Sequence, residues 1–310
     1  MTSARHDRPL LALAIRLGGV MGLSIMAALI KLASTRGIHL AEIIFWRQFI
    51  TVPILLVWAW FAGQGVGRER LRLLATKRPR DHAMRGVYGM IGMVFNFGAV
   101  ILLPLAEATT INFSAPIWAV ILSIVFLKEK VGIWRWGAVL AGFAGILVIA
   151  QPGDGHIPLF GAAVAMAGAF MIALISIQIR DLSRTENPMA IVFWFAMMSS
   201  VCSLPFMLFV AKAHAPLDWL ILLGTGLAGT WGQLMITAAL RYGKVSSVIV
   251  MDYSAIVWAT LFGWLLFAVL PPITTLFGAP LVIAAGIIIA WRERVVRRAP
   301  FTDQRGTAGT

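Results

Sequence analysis

Apolar runs of about 20 residues recur from one end of this chain to the other, and that repetition decides which solvent the chain is built for. A helix of that length is what it takes to cross a ~30 Å hydrocarbon core. The stretch from Ile111 to Lys130, INFSAPIWAVILSIVFLKEK, is typical. It is almost unbroken hydrocarbon, with Asn112 and Pro116 inside it and Lys128, Glu129 and Lys130 closing it. Across the 310 residues 60% are hydrophobic and only 13% are charged, too little polar surface to wrap a soluble core of this size. The expected fold class is an all-α integral membrane protein.

A net charge of +13 would point to nucleic acid in a soluble chain. Here the basic residues fall in short loops between apolar runs, so they read as membrane topology and no nucleic-acid partner is expected. The one cysteine, Cys202, lies inside a span, which excludes an intrachain disulfide and a cysteine-rich metal site. Arg5 and Arg8 precede an apolar segment that continues to about Leu32, the pattern of an uncleaved signal anchor.

Spans are predicted at roughly 12–33, 40–62, 84–103, 106–127, 133–150, 158–179, 189–210, 217–239, 246–268 and 273–291. The loop after the second holds Arg68, Arg70, Arg72, Lys77, Arg78, Arg80 and Arg85, and the positive-inside rule puts it in the cytoplasm. Alternation then places Lys128, Lys130, Arg135, Arg180, Arg184, Arg241 and Lys244 inside as well. The tail with Arg292, Arg294, Arg297, Arg298 and Arg305 joins them. Outside positions offer only Arg36 and Lys212. Ten spans with both termini cytoplasmic satisfy the pattern, in a multi-pass protein of the cytoplasmic (inner) membrane. Trp58, Trp60, Trp134, Trp136, Trp219 and Trp291 fall at span ends, where indole rings favour the headgroup level. Small residues four apart, as in Gly137, Ala141, Gly145, in Gly161, Ala165, Ala169, Ala173, and in Gly224, Ala228, Gly232, read as packing seams.

The chain also echoes itself. Phe113-Ser-Ala-Pro-Ile-Trp-Ala119 aligns with Tyr253-Ser-Ala-Ile-Val-Trp-Ala259 at a shift of 140, Gly145-Ile146 with Gly286-Ile287 at 141, and Phe45-Trp46 with Phe193-Trp194 at 148. Two halves of five spans follow, at 12–150 and 158–291, flanked by tails at 1–11 and 292–310. Because five is odd, the second copy must insert upside down. That gives ten transmembrane helices as two inverted five-helix repeats, with a substrate site expected at their interface near the midplane.

These features resemble a known family. Leu105-Ala-Glu-Ala-Thr-Thr110 leading into Ser114-Ala-Pro116, the Phe126 to Glu129 run and the Gly-rich span from Gly137 to Ala150 look like the EamA family of the drug/metabolite transporter (DMT) superfamily. Tyr253 to Phe267 and Gly278 to Ala290 repeat the pattern. One departure is visible: Val269 stands where Glu129 maps, so the acidic residue that closes the ninth span in many members is absent. The resemblance implies a membrane carrier for small metabolites, with neither direction nor substrate carried over.

Polar groups inside hydrocarbon cost energy and ask for a reason. Asn112 and Asp252 match at the 140 shift and enter from opposite sides, each about 5 Å from the midplane. Arg47 is the other intramembrane charge singled out. Its guanidinium would hold a substrate carboxylate, pair with Asp252, or snorkel toward Glu42 or Glu107. Asp252 with Arg47 would suit a zwitterion. Trp118 and Trp258, with Phe113 and Tyr253, offer rings for a flat or cationic substrate, against the plainer role of core packing. Asn96, Thr230 and Gln233 complete the polar set, and interhelical hydrogen bonds would account for them equally well. Pro116 predicts a bend that opens a notch beside Asn112.

His6, His39, His82, His156 and His214 read as tail or loop residues without metal-ligand spacing, and no nucleophile elbow or P-loop is present. The expectation is a non-enzyme without cofactor or metal. It is a secondary transporter moving an amino-acid-like, zwitterionic or cationic metabolite by alternating access, with a coupling proton or other ion, for which Asp252 is a candidate carrier. A non-transporting membrane scaffold or sensor is the alternative.

Overall fold

The computed structural model describes residues 9–63, 67–127, 133–151, 157–183, 185–242 and 249–298. Lys128 to Lys130, Arg5, Arg8, His6, His156, Arg184, Lys244 and Arg305 lie outside them. Among the described residues the secondary structure is helical throughout. Helices α1 (Pro9–Thr35), α2 (Leu40–Ala62), α3 (Pro79–Leu102), α4 (Leu105–Asn112), α5 (Ala115–Leu127) and α6 (Ile133–Ala150) make the first half. The second half holds α7 (Leu159–Leu182), α8 (Pro188–Val210), α9 (Pro216–Tyr242), α10 (Ala255–Phe267) and α11 (Ile273–Arg298). Short 3-10 segments at Gly67–Leu74 and Ile249–Ser254 precede α3 and α10.

Among the described residues seven helical stretches are long and apolar enough to cross a membrane, α4 and α5 together supplying one of them. Three shorter apolar helical segments, Trp136–Ala150, Met251–Phe267 and Ile273–Ile289, lie where the fifth, ninth and tenth spans are expected. Large apolar side chains such as Phe49, Val87, Leu147, Val201 and Leu227 point outward, which suits a hydrocarbon solvent rather than water. Trp60, Trp136, Trp219 and Trp291 are exposed near helix ends. Cys202 is free and faces out.

Helix starts follow local chemistry. The His39 ring accepts from Ala41 N at the head of α2, and the Asn187 side chain accepts from Met189 N at the head of α8, with Pro188 next. These two caps stand 148 residues apart, the same shift as the Phe-Trp echo. Pro79 opens α3 in the same way, so the third span begins five residues before position 84. His82 and Arg85, assigned to a loop by the charge pattern, are in fact buried inside α3.

The packing exchanges between halves. α1 lies along α9, and α7, the counterpart of α1, lies along α3, the counterpart of α9. α2 packs on its own counterpart α8, and α6 on α11. Glycines set the closest approaches. A Cβ placed on Gly145 would sit 2.9 Å from the Gly278 carbonyl oxygen, and one on Gly278 would sit 2.6 Å from that of Gly145. Farther along, Gly142 faces Ala285, so numbering falls along α6 as it rises along α11 and the two helices run antiparallel. The other expected seams also bury: Ala165, Ala169 and Ala173 form the inner face of α7, and Gly232 meets Leu23 and the Gly19 carbonyl on α1.

Candidate functional site

Two ends of the bundle carry matching clasps. At the head of α2, Glu42 accepts from Lys212 N at 3.1 Å and lies 3.0 Å from His214 Nε2, on the segment leading into α9. At the head of α8, Glu186 accepts from Lys77 N at 3.1 Å and lies 3.8 Å from His82 Nε2, at the start of α3. Since α3 corresponds to α9 and α2 to α8, one clasp maps onto the other when the halves are exchanged. An ion pair accompanies each. Arg36, after α1, bonds Asp218 in the first turn of α9. Asp181, near the end of α7, accepts from Arg78 Nη2 at 2.7 Å just before α3, with the charges reversed. Asp181 and Asp81 together hold the Arg78 guanidinium above its ordinary pKa. The first clasp lies at the start of α2. The second lies beside its far end, where Leu55 and Ala59 pack on Leu74, Met189 and Phe193. A 23-residue helix spans about 34 Å between them.

Between these ends lies a cavity of about 230 Å³ lined by Arg47, Gln48 and Thr51 of α2, Arg85 of α3, and Thr230 and Gln233 of α9, among others. A second hollow shares Arg47 and Arg85 and extends to Asn96 and Gly92 on α3. Arg47 Nη1 donates to Gln48 Oε1 at 2.5 Å, its Nε lies 3.2 Å from Met26 Sδ, and its charge faces the Phe97 ring at 5.6 Å. Arg85 lies over the Phe195 ring at 4.2 Å, while its Nε and Nη1 are buried without a hydrogen-bond partner. Thr51 and Thr230 hydroxyls meet at 2.8 Å and tie α2 to α9.

Of the residues expected at the site, Arg47, Asn96 and Gln233 are brought to these hollows. Asn96 also donates to the Gly92 carbonyl at 2.7 Å and the Gly168 carbonyl at 3.3 Å, joining α3 to α7. Asp252 is elsewhere and is committed: Arg16 Nε and Nη2 grip its two carboxylate oxygens at 2.6 and 2.5 Å, and Arg16 Nη1 reaches the Ile236 carbonyl. Neither Asp252 nor Glu42 nor Glu107 pairs with Arg47.

Asn112, Phe113, Trp118, Tyr253 and Trp258 gather instead around a break shared by the two halves. The fourth span is interrupted at Phe113 and Ser114, two residues before Pro116, and the equivalent segment changes from 3-10 to α-helix at Ser254. The Phe113 and Tyr253 rings meet edge to face with centroids 5.1 Å apart, each touching its own repeat mate. Trp118 packs edge-on against Phe143 and Phe170, and Trp258 stacks on Phe262. The indole nitrogens of both, and Asn112 Oδ1, are buried without a partner.

Arg16, Lys31 and Arg85 escape a reading of the sequence. Arg85 had a signal: with Pro79 taken as the helix start, Arg85, Gly89, Gly92 and Asn96 recur at helical spacing on one face. Lys31, on α1, donates to the Leu103 carbonyl at 2.6 Å and the Val100 carbonyl at 3.1 Å, satisfying the otherwise orphaned end of α3. It lines a further hollow with Glu107, a fully buried carboxyl that accepts from Thr275 Oγ1 at 3.3 Å and keeps Oε2 unpaired. Among the described residues no cluster of metal-ligating side chains occurs.

Comparison with known proteins agrees with this architecture. The EamA-like transporter family model matches the chain twice, over residues 10–151 and 159–291. The pseudopaline exporter CntI of Pseudomonas aeruginosa strain PAO1 is 29% identical over 269 residues, covering 86% of this chain and 91% of that protein. An S-adenosylmethionine uptake transporter of Rickettsia felis is 28% identical over 278 residues, covering 85% and 87%. A riboflavin transporter of Vibrio cholerae is 27% identical over 254 residues, covering 80% and 82%. The crystal structure of a protein 20% identical in sequence superposes with a TM-score of 0.57, covering 90% of this chain and 98% of that one; it bears on the fold alone. Named relatives of this kind are transporters and not enzymes. The chain is a two-repeat, multi-pass member of the EamA-like transporter family.

Proposed function

We propose that this protein is a secondary transporter of the cytoplasmic (inner) membrane, with both termini cytoplasmic. In this reading it moves a small amino-acid-like metabolite by alternating access between two inverted five-helix repeats. The observation that carries the reading is the pair of exchanged clasps, Glu42 with His214 and Glu186 with His82, at opposite ends of α2. Exchange-related contacts at two faces are what a pseudo-two-fold axis in the membrane plane produces. The antiparallel course of the counterpart helices α6 and α11 supports the same axis.

The α6–α11 pair is packed along its length, with the Gly145 and Gly278 backbones in contact and Ala138 and Val139 clustered with Ala285 and Ile289. The cavity supports the substrate class: guanidinium, amide and hydroxyl groups line it and none of the described lining residues is acidic. A cationic solute held by Asp252 is disfavoured, because that carboxylate is spent on Arg16.

Purified full-length protein in liposomes tests the reading by solute counterflow with amino acids and their derivatives. Saturable exchange of at least one such solute is expected. Its absence for every one, with the protein folded and inserted, favours the scaffold or sensor alternative.

A further inference from the structure

We propose that Arg47 and Arg85 are the two prongs of an anion site, and that the solute carries two acidic groups. The inference rests on the transporter reading and names the substrate class of its cavity. Arg47 and Arg85 both line both hollows. A guanidinium does not shed its proton in a protein, so two positive charges border the same space. No described carboxylate pairs with either one, and none of the described residues lining either hollow is acidic. Their present partners are soft: thioether sulfurs, one amide oxygen, and the faces of Phe97 and Phe195.

The hydrogen-bond ledger points the same way. Arg85 Nε and Nη1 are buried donors without acceptors, and so is Gln48 Nε2, whose amide is oriented by the bond its oxygen accepts from Arg47. Three fully buried donors without a partner, and no fully buried acceptor without one among the described lining side chains, call for a guest rich in acceptors. Uncompensated buried charge is costly, and like charges side by side add to the cost. Elsewhere the molecule neutralises its buried arginine locally, as Arg16 shows with Asp252. A guest with two carboxylates supplies both missing charges, and each guanidinium can donate to one of them. Arg47 lies on a helix of the first repeat that faces α8 and α9 of the second, so the guest would sit between the halves.

The test is thermal unfolding of the purified full chain with about 10 mM succinate or glutamate, against succinamide, glutamine and putrescine at the same concentration. The two diacids are expected to raise Tm by about 2–4 °C and the neutral or cationic probes to leave it unchanged. Arg47→Gln and Arg85→Gln should each abolish the shift. Without solute, Arg85→Gln should melt at or above the parent, because it removes a charge that nothing balances; a purely structural arginine would lower Tm. No shift with either diacid overturns the inference, as does an equal shift with an amide or putrescine, or a shift that survives in the Arg47→Gln/Arg85→Gln double variant. Flux separates the two readings. A diacid that binds through both arginines yet never crosses liposomes keeps this site and removes the carrier. Flux of a neutral or cationic solute that both Gln variants preserve keeps the carrier and removes this site.

Discussion

Arg16 and Asp252, 236 positions apart, meet in a two-pronged ion pair that joins the first helix of one half to the broken span of the other. The pair consumes both carboxylate oxygens, so Asp252 serves the fold before it can serve a solute. The Arg16 side chain is 9% exposed and that of Asp252 34%.

Removing one partner strands the other. Asp252→Asn should destabilise the protein by about 2–3 kcal/mol, below the ~3–5 of a fully buried pair because Asp252 keeps a third of its side chain in contact with solvent. A double-mutant cycle with Arg16→Gln, read by thermal unfolding in detergent, should return a coupling of the same order. Additive single-variant losses would mean that the two groups do not interact.

The glycine contact between α6 and α11 makes a sharper contrast. Gly145→Ala and Gly278→Ala each drive a methyl into a backbone carbonyl, whereas Gly137→Ala meets open space. The first two should cost about 1–3 kcal/mol and the third should fall within about 0.5 kcal/mol of the parent. Unfolding midpoints of the three variants, measured side by side, check the order.

Pro116 follows a break rather than making a kink in a continuous helix. Ser114 O already accepts from Ile117 N and Trp118 N, so α5 starts without help from α4. Pro116→Ala should preserve folding but let α4 and α5 join more often, lowering solute turnover several-fold with a small effect on Tm. Unchanged turnover and affinity would show that the break is not needed for transport.

Much of the molecule is legible in the sequence because hydrophobic periodicity is a local signal. Span positions follow apolar length, and the halves follow the Phe113–Ser114 and Tyr253–Ser254 echo, whose two rings meet in the structure. The third span starts earlier than its charge pattern implies, since a basic residue can be buried in a helix despite the cost; His82 and Arg85 are the evidence. Pairings between distant helices are not local. Nothing in the chain announces that Asp252 belongs to Arg16 rather than Arg47, because equal shift along the sequence sets correspondence between repeats and not contact. The clasps are illegible for a related reason. Arg36–Asp218 and Arg78–Asp181 are equivalent in space but reversed in charge, so alignment by residue type cannot see them.

Weakening one clasp should bias the molecule toward opening at that end. Asp218→Asn releases Arg36 and should shift a two-state balance toward opening at that end. Asp181→Asn should shift it the opposite way. Opposed changes in solute affinity measured from the two sides of oriented liposomes would confirm the pairing, and same-sign changes would refute it.

The central claim is that the two ends open in alternation, and spin-label distances measure this directly. In a Cys202→Ser background, one label pair at Thr35 and Ala213 reports on the Glu42 end and another at Lys77 and Ser183 reports on the Glu186 end. On adding a transported solute, one distance distribution should lengthen while the other shortens. Both distributions lengthening together, or neither moving while solute is bound and carried, would contradict alternating access in this protein.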